Sequence, residues 1–375
     1  MKKLSILIVV LMLAVGFAQT KVGINLELSG RFATIGNSTL QGVETALKAS
    51  GSDIELSICD NATTVEGSVA CANRFVDEGV VAVLGAISSS MSIPAAEVLQ
   101  AAGIIMVSTS STNPATTQVG DYIFRMAYTD DFQGKVAARY AKNALSANNA
   151  IIFRQQDDDY SFGLAGFFKD EFEAMGGTTV VVDFVANTTD FNAQINDILG
   201  LEADVIYYAG FCAEGAVLVP ALREAGFDQQ MLGADASDDS QCPVGGGTAF
   251  NGYLFTGFGG PEVLSGEAAM RAAYFNGYFD AVNPDATDFG GFALAGADSM
   301  NVVIEAVNRA GEGASTAQVR DALAGLEGYA GVSGDITYVN TDGTPSDRTI
   351  AFFEYVVNDD GSWDRVAKFG IGTGE

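Results

Sequence analysis

Histidine is missing from all 375 residues. A Ser-His-Asp or Cys-His catalytic set is therefore excluded, and so is any metal site built on imidazole. Acid–base chemistry would have to run on carboxylates alone. Basic residues are scarce: 19 Lys and Arg stand against 47 Asp and Glu, a formal net charge of −28. Nucleic-acid binding rests on cationic contacts to phosphate, so a nucleic-acid partner is excluded. The excess acid reads as a solubilising surface. There are only four cysteines, Cys59, Cys71, Cys212 and Cys242, with no CxxC pair among them, which gives no support to a redox motif or a zinc ribbon. Beyond the N-terminus no stretch approaches the roughly 20 apolar residues that a membrane span needs. Nor does a Pro/Ser-rich linker divide the chain.

The N-terminus has the features of an export signal. Lys2 and Lys3 precede an apolar run from Leu4 to Val15, and Gly16 and Ala18 occupy the −3 and −1 positions of a small-residue cleavage site. Residues 1–18 are read as a signal peptide, and the mature chain as soluble and periplasmic. Removal of two lysines takes the mature charge to about −30, and the remaining length of about 355 residues suggests two domains. In an exported protein, four cysteines favour disulfides. Three pairings are possible; Cys59–Cys71 and Cys212–Cys242 are preferred because each pair falls within one predicted sub-structure.

From Lys21 the chain alternates β-branched runs with helical patterns. Lys21–Leu26 and residues 53–58, 80–84 and 104–107 read as buried strands. Leu40, Val43 and Leu47, then Val69, Ala72, Phe75 and Val76, mark the helices between them. A second run has strands at 150–153, Thr178–Phe184, 204–208, 230–234 and 253–256, with Leu164, Phe168, Phe172 and Met175 striping a helix. Further helices follow around 268–279 and 299–309, and a final strand pair near 335–338 and 348–356 is expected to close the chain. The alternation predicts an α/β architecture of two Rossmann-like lobes, each a parallel sheet flanked by helices. Turn-like stretches at 128–131, 257–261 and 340–345 are the candidate crossings between lobes. Ligands of such sheets bind beyond the carboxyl ends of the strands, so two facing lobes make a cleft.

Two hydroxyl-rich turns lie at such strand ends. The strand at 80–84 runs into Gly85-Ala-Ile-Ser88-Ser89-Ser90-Met-Ser-Ile-Pro94, and the next strand into Ser108-Thr-Ser110-Ser111-Thr112-Asn-Pro114. Helix-start amides and serine hydroxyls suit a carboxylate; the plainer role is helix capping. Asp235, Ser237, Asp238 and Asp239 form an acid-rich stretch, but its spacing lacks the calcium-loop pattern, and no metal or cofactor is expected. Residues 257–260, Gly-Phe-Gly-Gly, are not a dinucleotide fingerprint. Asp130 reads as a hinge or helix-start residue.

These turns, with Leu28-Ser29-Gly30 to Gly36, Phe124-Arg125, Asp130 to Gly134, Asp158-Asp159-Tyr160-Ser-Phe-Gly163, Tyr207-Tyr208-Ala-Gly-Phe211 and Leu232-Gly233-Ala-Asp235, resemble the branched-chain amino-acid-binding proteins of ABC transporters. These are type I periplasmic binding proteins, whose lobes are joined by three crossings. The resemblance runs along nearly the whole mature chain. It implies an N-terminal lobe of residues 19–129 plus 260–342 and a C-terminal lobe of 130–259 plus 343–375. It places the ligand carboxylate on Ser89, Ser110 and Thr112, with help from backbone amides. The ammonium falls to Asp235, where the family more often has Glu, and Tyr160 closes over the ligand. Phe211, Ile35 and Phe292 would line the side-chain wall, Ile35 replacing a common aromatic. The implied function is capture of an apolar α-amino acid by a monomer that delivers it to membrane permease subunits, with no enzymatic step. A receptor of the same fold for a short amide, urea or aromatic acid, a ligand-sensing module, and a carboxylate-only hydrolase are the competing readings.

Overall fold

The computed structural model describes residues 19–286 and 290–372, so the proposed signal at 1–18 lies outside the described residues. The first run of elements is β1 (Lys21–Leu26), α1 (Ala33–Ser50), β2 (Glu55–Asp60), α2 (Val65–Glu78), β3 (Ala82–Gly85), α3 (Ser89–Ala102), β4 (Ile105–Ser108), α4 (Ala115–Gln118) and β5 (Ile123–Arg125). The five strands form one parallel sheet in the order β2-β1-β3-β4-β5. Val22, Ile24 and Leu26, the apolar positions of β1, are fully buried. Strand β2 differs from the expectation of a buried strand. It starts two residues later and lies at the sheet edge, where Ile58 is 42 % exposed. β5, too short to show a pattern in the sequence, completes the other edge.

The second run is α5 (Asp130–Asn143), β6 (Asn149–Gln155), α6 (Asp159–Ala174), β7 (Thr178–Phe184), α7 (Asn192–Ile198), β8 (Val205–Ala209), α8 (Cys212–Glu224), β9 (Gln230–Gly233), α9 (Gln241–Gly246) and β10 (Leu254–Phe258). Three helices then return to the first unit: α10 (Gly266–Val282), α11 (Gly291–Ala310) and α12 (Thr316–Ala324). Helix α11 packs on α1 at glycine distance. A Cβ on Gly42 would sit 2.0 Å from the Ala293 carbonyl oxygen, and one on Gly296 would sit 2.3 Å from that of Thr39. This contact brings Phe292, in the first turn of α11, beside Ile35 of α1 in the same apolar core.

The chain ends with the hairpin β11 (Tyr329–Gly331) and β12 (Gly334–Ile336), then β13 (Thr349–Val357) and β14 (Trp363–Gly372). The second sheet has the order β14-β13-β10-β9-β8-β6-β7. Its core is parallel, and β13 and β14 add antiparallel to the β10 edge. The expected closing pair is therefore corrected: the strand at 335–338 does not pair with that at 348–356. The former belongs to the small hairpin and the latter pairs with β10 and β14. The turn at 340–345 carries the chain from one unit to the other, so the two segments cannot form a ladder.

The chain passes between the units three times: from β5 to α5, from β10 to α10, and from β12 to β13. These passages coincide with the three turn-like stretches. Disulfides join Cys59 of β2 to Cys71 of α2, and Cys212 of α8 to Cys242 of α9. Among the described residues no helix is long and apolar enough to cross a membrane.

Candidate functional site

Strands β3 and β4 are adjacent and parallel, so the turns that follow them stand side by side at one sheet edge. In the first turn the amides of Ile87 and Ser88 both donate to the carboxylate of Glu27, at 3.1 Å each. Glu27 follows β1, is fully buried, and is pushed up to about 7 by that burial, against the lowering effect of the two amide bonds. Two of the backbone donors that the sequence offers to an anion are thus already engaged. The amides at the start of α3, Ser89 and Ser90, are the ones that helix geometry leaves over.

The second turn is held by its own hydroxyls and by one arginine. Ser108 Oγ donates to the Ala86 carbonyl at 2.9 Å and accepts from the Ser111 amide at 3.1 Å. Ser89 Oγ accepts from Ser111 Oγ at 2.9 Å and from the Asn113 amide at 3.3 Å, which ties the two turns together. Beneath them the fully buried Arg125 donates to the carbonyls of Ser111 (2.9 Å), Asn113 (2.9 Å) and Pro114 (3.2 Å), and to Thr117 Oγ1 (3.0 Å). Burial pulls the guanidinium down to about 10; it remains a cation under a turn rich in hydroxyls.

The second unit supplies the opposite chemistry. Asp158 caps α6 by accepting from the Ser161 amide at 2.9 Å, which fixes Tyr160 in the first turn. Tyr160 Oη donates to Asp235 Oδ1 at 2.7 Å, and Gln133 Nε2 donates to the same oxygen at 2.7 Å. Gln133 Oε1 in turn accepts from Tyr128 Oη (3.3 Å) and Thr256 Oγ1 (3.1 Å). Burial raises the Asp235 carboxyl to about 7, partly offset by the Tyr160 bond. Asp130 opens α5, as the sequence suggested, and its amide donates to the Thr112 carbonyl at 2.8 Å. Its carboxyl is fully buried beside the Thr112 side chain. Desolvation first, and the neighbouring Asp235 second, raise it well above the carboxylate range, against the lowering effect of the Thr112 hydrogen bond.

All eight sequence-predicted ligand residues line one cavity: Ser89, Ser110, Thr112, Tyr160, Asp235, Phe211, Ile35 and Phe292. Ile87, Ser88 and Ala236 complete the wall. One wall hydroxyl, Ser88 Oγ, is buried without a partner, which is costly unless a ligand supplies one. One side of the cavity is therefore hydroxyl donors above a buried cation, the other a carboxyl and a phenol, and the rest apolar. Larger depressions elsewhere, such as that around Lys21, Glu55 and Glu78 at the other end of the first sheet, have no such division.

Three residues that shape this site escaped the sequence reading as site residues: Glu27, Arg125 and Gln133. Phe124-Arg125 and the 130–134 segment were among the matching motifs, but nothing in their spacing shows that their side chains reach back beneath the turns. The acid-rich stretch after Asp235 divides: Asp238 pairs with Arg365 at 3.4 Å, and Asp239 accepts from the Gln241 amide at 2.9 Å. Among the described residues no cluster of metal-ligating side chains is assembled. The bonds between units are specific. Ser90 Oγ donates to Asp158 at 2.9 Å and accepts from the Asp159 amide at 2.8 Å, and Asn113 Nδ2 donates to the Asp159 carbonyl at 2.8 Å.

Comparison with known proteins gives a consistent picture. The family model described as periplasmic binding protein matches residues 19–362. An amino acid binding protein of Pseudomonas aeruginosa is 30% identical over 302 residues, covering 79% of this chain and 78% of its own. A Leu/Ile/Val-binding protein homolog of Brucella melitensis is 28% identical over 335 residues, 87% of this chain and 88% of its own. Among solved structures, a leucine-binding protein of Thermotoga maritima superposes with a TM-score of 0.86 at 26% identity, over 94% of this chain and 98% of that one.

Proposed function

The chain belongs to the periplasmic binding protein family, and from that premise we propose that it captures an α-amino acid between its two units and delivers it to an ABC importer. One observation carries the reading. Hydroxyls from the first unit and an acid–phenol pair from the second line the same buried cavity. A zwitterion needs one complement for each charge, since either charge buried alone is costly. Ser89, Ser110 and Thr112 serve the carboxylate; Asp235, held by Tyr160 and Gln133, serves the ammonium. The related amino-acid and leucine binders support the assignment.

The apolar wall of Ile35, Ile87, Phe211 and Phe292 suits an aliphatic side chain. Because the two halves of the clamp sit on different units, the full set of bonds forms only in the closed state, and binding shifts the open–closed equilibrium toward it. Residues 19–129 with 260–342 form one lobe, and 130–259 with 343–375 the other. Residues 1–18 are removed on export, and the mature chain acts in the periplasm as a monomer with permease subunits as partners. Its chemistry is binding, without turnover of the ligand.

The test is a calorimetric screen of protein purified without refolding, against α-amino acids, short amides, urea and aromatic acids. Tight, saturable binding of aliphatic L-amino acids is the expected outcome. Tight binding of aromatic carboxylates with none of α-amino acids would overturn the assignment, because such acids have no use for Asp235.

A further inference from the structure

Arg31 lies in the loop between β1 and α1, outside the residues that line the ligand cavity. Its Nη1 reaches across to the other unit and donates to Gln155 Oε1 of β6 and to Glu214 Oε1 of α8, at 3.0 Å each. The pair is largely dry: the side chain of Arg31 is 15% exposed and that of Glu214 2%. Glu214 Oε1 also accepts from the Asn187 amide at 2.7 Å within its own unit, while Oε2 is buried with no partner. The guanidinium meanwhile stacks at 4.4 Å over Phe32 and 5.2 Å from the Phe211 centroid, and these two rings pack at 4.1 Å. From the other side, Gln241 Nε2 of α9 donates to the Arg31 carbonyl (3.3 Å) and to Thr34 Oγ1 (3.1 Å). The same loop is gripped by the second unit through both its backbone and its side chain.

We propose that Arg31 is an affinity-setting latch: it holds the two lobes closed and governs how fast the ligand leaves, without touching the ligand. This rests on the closure mechanism above. In an open cleft Arg31 has no polar partner on its own lobe and its guanidinium faces water. Glu214 keeps its Asn187 bond and is hydrated. Closure removes water from both and pairs them. Without the guanidinium, closure would bury the Glu214 carboxylate uncompensated, which is costly enough to reopen the cleft. The latch acts only in the closed state, so its effect falls on dissociation rather than on encounter.

The experiment is stopped-flow binding and release of L-leucine, L-valine and L-alanine by wild type, Arg31→Met, Arg31→Lys and Glu214→Gln, with the double variant Arg31→Met/Glu214→Gln. Arg31→Met keeps the stem over the rings and removes only the charge and its bonds. It should raise koff about tenfold or more, by the same factor for every amino acid bound, and leave kon within about twofold. Arg31→Lys, with a charge but no fork, should fall between. The double variant should release ligand no faster than Arg31→Met alone, and the melting temperature of the unliganded protein should not move. An unchanged koff, a loss in kon, a loss that differs between ligands, or additive effects in the double variant would overturn the latch. If wild type binds none of the three amino acids, the amino-acid reading is what fails. The latch is then judged by single-molecule FRET between the lobes of unliganded protein, where Arg31→Met should shorten the closed dwell and an unchanged dwell refutes it.

Discussion

Replacing Asp235 by Asn exchanges a carboxylate for an amide of nearly the same shape, and the surroundings make the consequence calculable. Asp235 is 4% exposed, and one of its oxygens already accepts two bonds of 2.7 Å, from Tyr160 and Gln133. Asp235 is the one carboxylate among the residues that line the cavity, so under the proposed function it alone would compensate the ligand ammonium. Breaking a buried ion pair on one side costs about 3–5 kcal/mol, because the other charge stays buried and unpaired. At about 1.4 kcal/mol per decade, that is a loss of roughly 10²–10⁴ in affinity. The control is 4-methylpentanoate, which is leucine without its amino group. It uses the hydroxyl half of the site but not Asp235, and it gains from removal of a like charge. Calorimetry should show Asp235→Asn crippling L-leucine binding while 4-methylpentanoate binds at least as well as to wild type. Equal losses for both ligands would refute the reasoning and take Asp235 out of the ammonium role.

With the Asp235 carboxyl raised to about 7 by burial, binding is expected to depend on pH. A bound ammonium favours the ionised form, so binding releases a proton. Affinity for L-leucine should rise toward tenfold per pH unit between pH 5 and 7 and level off above, and isothermal titration in buffers of different ionisation enthalpy checks the proton count. Asp235→Asn should remove that slope, which separates Asp235 from Glu27, also pushed up to about 7 but outside the cavity. Thr112→Ala should weaken amino-acid binding by about 1–3 kcal/mol, the range for a hydrogen bond to a charged group. Ser89→Ala should lose a similar amount but also lower thermal stability, because Ser89 Oγ ties the two turns. Glu27→Ala strands the buried amides of Ile87 and Ser88, each at a cost of about 1–3 kcal/mol, and should lower the melting temperature measurably by calorimetry.

Much of this molecule could be read along the chain because its signals are local. β-branched runs alternating with helical stripes specified two parallel sheets, since a parallel strand needs a crossover and an amphipathic helix needs a face to cover. Gly85 and Ser108 end adjacent strands, so hydroxyl turns on both had to meet at one sheet edge. The absence of histidine removed every mechanism that needs an imidazole. Failures came where the deciding partner is distant. β2 read as buried because its composition does not say that it lies at an edge. The segments at 335–338 and 348–356 read as a pair because proximity in sequence was the only guide to pairing.

What tertiary structure alone decided is how charges are placed in the interior. Glu27, Gln133 and Arg31 carry no periodicity or spacing that marks them, and each acts on residues far from it along the chain: Glu27 on the amides of Ile87 and Ser88, Gln133 on Asp235, Arg31 on Glu214. Residue identity fixes what a side chain can donate or accept. Whether it is paired, desolvated or raised in pKa depends on which distant groups the fold brings within about 3 Å and how much water it removes. Those two quantities exist only once the chain has folded.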